Sequence, residues 1–195
     1  MLFHAVARKR PHRGWGILES GGVALVVIIV ITVVLGGLYM LWNRKDIALE
    51  SANVQSIITS TQGLLKSRNG YNYTSGMVMT GLLIQVGGVP KNMMTKGNVT
   101  TGTATLWNTW GGQVVVAPIT ANGFNHGFTV IYPKVPQYAC IAITTSLSTG
   151  GSISGITINS TAYSDGNVTA ENAGTACVKD TGRSGMNTLT FTVNG

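Results

Sequence analysis

Only 10% of these 195 residues are charged, and the chain has three histidines and two cysteines. That leaves little for catalysis to build on. His126 is the single histidine beyond residue 12, set between Asn125 and Gly127 as in a turn, and no H-E-x-x-H, G-x-S-x-G or phosphate-binding loop pattern occurs. The acids Asp165, Glu171 and Asp180 stand in polar stretches, too separated in sequence to count as an acid–base pair unless the fold brings them together. No enzyme, no metal and no cofactor is expected. Basic stripes are missing too. The formal net charge is +7, but Arg8, Lys9, Arg10 and Arg13 carry four of the positive charges, which leaves nine Lys and Arg against six Asp and Glu. Lys66, Arg68, Lys91 and Lys96 are spread too thinly for a nucleic-acid surface, so no direct nucleic-acid binding is expected.

What the chain does have is a long apolar run. Ser20 to Asn43 (SGGVALVVIIVITVVLGGLYMLWN) is 24 residues without a formal charge. About 20 apolar residues cross the hydrocarbon core of a bilayer as a helix, so a transmembrane helix is expected over 20–43. The basic segment ahead of it holds no acid and stays cytoplasmic by the positive-inside rule, with Arg44 and Lys45 as a stop at the far edge. Everything after Arg44 is then exported. An ordinary secretory signal does not fit, because the apolar region lies after Gly14, runs too long and has no A-x-A site behind it. A single acid, Glu19, stands at the head of this run. In apolar surroundings an ionised carboxylate costs several kcal/mol unless a cation and hydrogen bonds satisfy it. Either it has such a partner or it sits at the membrane interface.

Arg13-Gly14-Trp15-Gly16-Ile17-Leu18-Glu19 resembles the class III leader of type IV prepilins, in which a membrane peptidase cuts after a glycine and leaves a glutamate fifth in the mature chain. Counted from Trp15, Glu19 is fifth. The resemblance implies cleavage between Gly14 and Trp15, N-methylation of the Trp15 amine, and dependence on prepilin peptidase and a pilus assembly machinery. A bulky first residue other than Phe looks like the type IVb subgroup, nearer to the thin-pilus and conjugative pilins. The Trp15 amine of one subunit would then pair with Glu19 of its neighbour and fix axial register, while the macrodipole of the first helical turn contributes roughly 0.3–1 kcal/mol.

Past the apolar run, Ile47, Val54, Ile57, Ile58, Thr61, Leu64 and Leu65 recur near intervals of three, four and seven, as on one face of a helix. The helix is predicted to continue to about Ser67, some 53 residues from Trp15, or roughly 80 Å at 1.5 Å per residue. Gly36-Gly37 interrupts its middle, where each glycine costs on the order of 1 kcal/mol relative to alanine. Two readings stand: a kink or local melting once the helix leaves lipid, or close packing of helices against a small surface.

Arg68-Asn69-Gly70 ends the helix. Residues 71–105 read as a surface connection with a short helix over Ser75–Gln85 and a turn at Gly87-Gly88-Val89-Pro90. Strands are predicted at Gln113–Ile119 and Gly127–Tyr132, joined through Asn122-Gly123, with Trp107 and Trp110 covering the sheet edge or core. Pro136 can open a helix over Gln137–Leu147. Ile153–Asn159 alternates like a strand, Thr169 can cap a helix running to Val178, and Asn187–Val193 closes the chain as a strand with Leu189, Phe191 and Val193 on one face. The order is similar to type IVb pilins, in which the closing strand lies inside the sheet. The fold class expected is therefore α+β, a long N-terminal helix packed on an antiparallel head, with a cleaved leader 1–14, a helix 15–67 and a head 68–195.

Cys140 and Cys177 both fall on the exported side, where a disulfide persists. Closing a loop of that length stabilises by roughly 4 kcal/mol in the chain-entropy account. In the pilin family a bridge so placed bounds a C-terminal variable region on the filament surface. The N-x-S/T triplets at Asn72, Asn98, Asn159 and Asn167 carry little weight in a chain so rich in Asn and Thr. The function expected is that of a major pilin: inner-membrane prepilin first, then a homo-oligomeric extracellular filament for adhesion, aggregation or mating-pair stabilisation, with a host or recipient-cell receptor as a further partner. A minor pilin, a type II secretion pseudopilin and an anchored binding module that never polymerises are the alternatives.

Overall fold

A computed structural model of the chain describes residues 15–121, 124–182 and 184–195, without the side chains of 15–23, 39, 40, 42, 43, 121 and 124. The leader with Gly14 and the Asn122-Gly123 turn lie outside the described residues. Helix α1 runs Trp15–Leu64, three residues short of the expected end. The chain divides into two units, Met1–Trp42 and Asn43–Gly195.

Within the second unit, α1 presents Glu50, Asn53, Val54, Ile57, Ile58 and Thr61 to the interior, all buried. Their spacing of three and four is the stripe expected for a helix laid on a sheet. Leu64 departs from that expectation. It is 55% exposed, because it sits about 100° round the helix from the buried Leu65.

The sheet has seven strands in the order β1-β2-β3-β4-β7-β5-β6, every pairing antiparallel. The strands are β1 (Met94–Lys96), β2 (Thr105–Trp107), β3 (Gln113–Ala121), β4 (Phe124–Val135), β5 (Gly155–Ile158), β6 (Thr161–Tyr163) and β7 (Asn187–Asn194). The last strand enters between β4 and β5, so the end of the chain holds two parts of the head together. β7 alternates Leu189, Phe191 and Val193 inward and is buried at each, the period-two pattern of a strand with one wet face. Strands β1, β2 and β6 were not expected from the sequence. Each has three residues, and the side chains of β1 are exposed throughout, so no alternation marks it.

Three helices follow α1: α2 (Gly76–Gln85), α3 (Gln137–Ser148) and α4 (Ala170–Ala176). Ser75 caps α2 by accepting from Val78 N–H, and Thr169 caps α4 by accepting from Asn172 N–H, each satisfying a donor that the first turn leaves free. Pro136 is the N-cap of α3 rather than its first residue. Helix α2 is fastened to β3 through Thr80, whose Oγ1 accepts from Val116 N–H at 2.8 Å. Gly76 lets it lie close: a Cβ there would come within 2.7 Å of Val115 Cγ1 and 2.9 Å of Ala117 Cβ on β3.

Candidate assembly site

Where the first unit's side chains are described, at 24–38 and 41, the helix is apolar on every side. Its described side chains stand open, with Val33 68% exposed, Ile28 64%, Leu41 62% and Leu35 60%. A helix apolar all round is stable only when something else covers it. Thr32 does not break the pattern, since its hydroxyl donates to the Ile28 carbonyl one turn back at 2.7 Å. Gly36 and Gly37 are helical, with nothing within 4 Å of where a Cβ would sit. Among the described residues no helix is long and apolar enough to cross a membrane, so the span expected over 20–43 is not found there. Part of that span, with the side chains of Trp15 and Glu19, lies outside what is described.

In the second unit Cys140, on α3, and Cys177, at the end of α4, are joined by a disulfide with their Cα atoms 6.0 Å apart. The loop it closes contains β5 and β6. Asp180 caps the start of α3 by accepting from Gln137 N–H at 2.8 Å, and Asp165 accepts from Asn167 N–H at 3.0 Å. Asp165 serves a local turn, Asp180 reaches across to α3, and Glu171 lies in the first turn of α4, so each acid has a separate structural place. No cluster of three His, Cys, Asp or Glu suited to a metal exists among the described residues.

The sequence reading missed Glu50. It is completely buried, and it accepts from Tyr132 Oη, from Asn53 Nδ2 at 2.9 Å and from the main-chain N–H of Thr109 at 2.6 Å. Asn53 Oδ1 in turn accepts from Asn92 Nδ2 at 2.9 Å. Burial pushes the Tyr132 phenol far above its usual range, and the charge and hydrogen bond of Glu50 push it the same way, against a smaller opposing bond from Asn53. The signal was present in the sequence: Glu50 stands three residues after Ile47 and four before Val54, a carboxylate in the apolar stripe.

With that geometry in view, the chain can be set beside known proteins. Residues 44–194 match the family model described as PilS N terminal. This chain belongs to the PilS family of type IVb pilins. It is similar to the crystal structure of type IVb pilin from Salmonella typhi, with 50% identity over 76% of this chain and 99% of that one and a TM-score of 0.69. It is also similar to the NMR structure of type IVb pilin PilS from the same organism, with 49% identity over 79% and 99% and a TM-score of 0.55. No curated protein matches. The chain is therefore a structural subunit of an extracellular pilus, not an enzyme, and the α+β head with its inner closing strand is the type IVb pilin fold.

Proposed function

We propose that this pilin is the major subunit of a type IVb filament, made as an inner-membrane prepilin and polymerised through the first part of α1. The observation that carries the reading is the apolar collar of α1, whose large side chains are open to water in the isolated subunit. Lipid over 20–43 before assembly, and the same segments of neighbouring subunits afterwards, would each cover it.

In this reading prepilin peptidase cuts between Gly14 and Trp15, the Trp15 amine is methylated, and Glu19 pairs with that amine on the adjoining subunit. Gly36 and Gly37 give the helix a place to loosen as it passes from lipid into the filament. The filament then serves adhesion, aggregation or mating-pair stabilisation, contacting a host or recipient cell through the head. N-terminal sequencing of sheared surface material, with electron microscopy of wild-type and Glu19→Ala cells, tests the proposal. Expected are a chain starting at Trp15, abundant filaments in the wild type and a processed but unassembled Glu19→Ala subunit. A surface protein starting at Met1, scarcity in sheared filaments, or normal filaments from Glu19→Ala would overturn it.

A further inference from the structure

We infer that Glu50 is a positioning residue that sets where along α1 the pilin head is docked, an inference that rests on the filament reading above. Four separate stretches of the head converge on it. Glu50 and Asn53 come from α1, Asn92 from the connection between α2 and β1, Thr109 from the turn between β2 and β3, and Tyr132 from β4. All three direct bonds come from neutral donors, so the carboxylate is held by hydrogen bonding from fixed directions rather than by a mobile cation.

Every polar atom in this group has one assignment that works. Asn53 turns Nδ2 to Glu50 and Oδ1 to Asn92 Nδ2; flipped, its oxygen would face the carboxylate and its amide would face another amide. Glu50 Oε1 takes the Thr109 N–H while Oε2 takes Tyr132 and Asn53. If α1 slid one turn either way, Asp46 or Val54 would occupy the place of Glu50. Aspartate is a methylene shorter, and valine accepts nothing. Valine would leave the Thr109 N–H and the Tyr132 hydroxyl without an acceptor, and aspartate would hold its oxygens one bond length short of them, which buried donors resist. The apolar positions resist the same slip, since Val54, Ile57 and Ile58 would give way to Glu50, Asn53 and Val54 in one direction and to Ile58, Thr61 and Gln62 in the other, but only the carboxylate has donors that fix it to a single position. This carboxylate thus fixes which turn of α1 within the second unit the sheet packs on.

The test moves the charge without removing it. Full-length pilin carrying Glu50→Gln, and the double variant Glu50→Gln with Asn53→Asp, are compared with the wild type by amide hydrogen exchange in detergent and by yield of sheared filaments. In the single variant the new amide faces either the Asn53 amide or the Thr109 N–H, a donor against a donor in both cases. In the double variant the amide introduced at position 50 donates to the carboxylate introduced at position 53, which still accepts from Asn92 and gains the Tyr132 hydroxyl. Expected is at least about tenfold faster exchange across 47–61 and at Thr109 in Glu50→Gln, with filament yield lowered, and return of both to within about threefold of wild type in the double variant. Wild-type exchange in Glu50→Gln, or a double variant no better than the single, overturns the inference, including where the single variant fails to fold. Absence of filaments from wild-type cells would instead count against the filament reading, since the exchange arm does not depend on it.

Discussion

Asn187 and Val178 hold each other twice. The Val178 N–H donates to Asn187 Oδ1 at 2.7 Å, and Asn187 Nδ2 donates back to the Val178 carbonyl at 2.9 Å. The same amide nitrogen reaches the Val135 carbonyl at 3.1 Å, and Oδ1 also accepts from Asn159 Nδ2 at 3.0 Å. One buried side chain at the start of β7 thus ties the end of β4 to the segment that follows Cys177. Asn187→Ala removes the partners of the half-exposed Val178 N–H and carbonyl and of the buried Val135 carbonyl, and should lower stability by about 2 kcal/mol. Urea unfolding of the pilin would measure this, with a midpoint unchanged from wild type as the result that refutes it.

Reduction of the disulfide should act on the same region from the other side. Cys140→Ser with Cys177→Ser is expected to cost about 4 kcal/mol by the chain-entropy estimate, and trypsin should then cut first near Lys179, beyond α4. Since Asn187 still grips Val178, β7 should remain protected in the reduced protein. Limited proteolysis followed by mass spectrometry distinguishes this from loss of the whole head.

Much of this architecture was legible because its signals are local. Thr169 reads as a cap, Leu189, Phe191 and Val193 alternate, and two cysteines in an exported chain have only each other; Ser75, read as the first residue of its helix, is its cap instead. What escaped was non-local. Strands β1 and β2 exist because Met94, Thr95 and Lys96 register against Trp107, Leu106 and Thr105, a pairing that two three-residue segments, MTK and TLW, are too short to announce. β6 is held in the same way by β5. Glu50 was in plain view in the apolar stripe of α1, yet nothing in the sequence identifies Tyr132, 82 residues away, as its donor. Propensity and periodicity see a neighbour along the chain, whereas a buried carboxylate is explained only by what the fold brings to it.

Alkaline pH should weaken the head before it weakens an average protein. Burial raises the phenols of Tyr71, Tyr73 and Tyr132 above the ordinary value of 10.0, with Tyr73 adding to the shift of Tyr71. A phenol whose folded value is raised stays neutral in the native state while the unfolded chain ionises. Its contribution is therefore fully present below about pH 10 and is lost as pH rises from there toward the folded value. The melting temperature should fall steeply between about pH 10 and 11.5, and ultraviolet titration of the native pilin should show fewer than six phenolates forming near 10, the chain having six tyrosines. Tyr73→Phe, which removes only a bond to the Leu65 carbonyl, should make that decline shallower. An unchanged slope would show that this phenol ionises normally.

Lys134 occupies the left-handed region at φ 59°, in the irregularity of β4 between Tyr132 and Val135. Its side chain is exposed, so backbone conformation is what a substitution there mainly changes. A non-glycine residue in this region carries about 1 kcal/mol of strain, and a β-branched one carries more. Lys134→Gly should therefore be neutral or stabilising by up to about 1 kcal/mol, the relief offset in part by the added freedom of the unfolded chain. Lys134→Val should destabilise by about 1–2 kcal/mol. Tyr132, which bonds Glu50, borders the irregularity, so the valine variant should also speed exchange at Thr109, whereas the glycine variant should not. If both variants melt at the wild-type temperature, the backbone at residue 134 is not strained and the aim of Tyr132 is set by the strand pairing on either side of it.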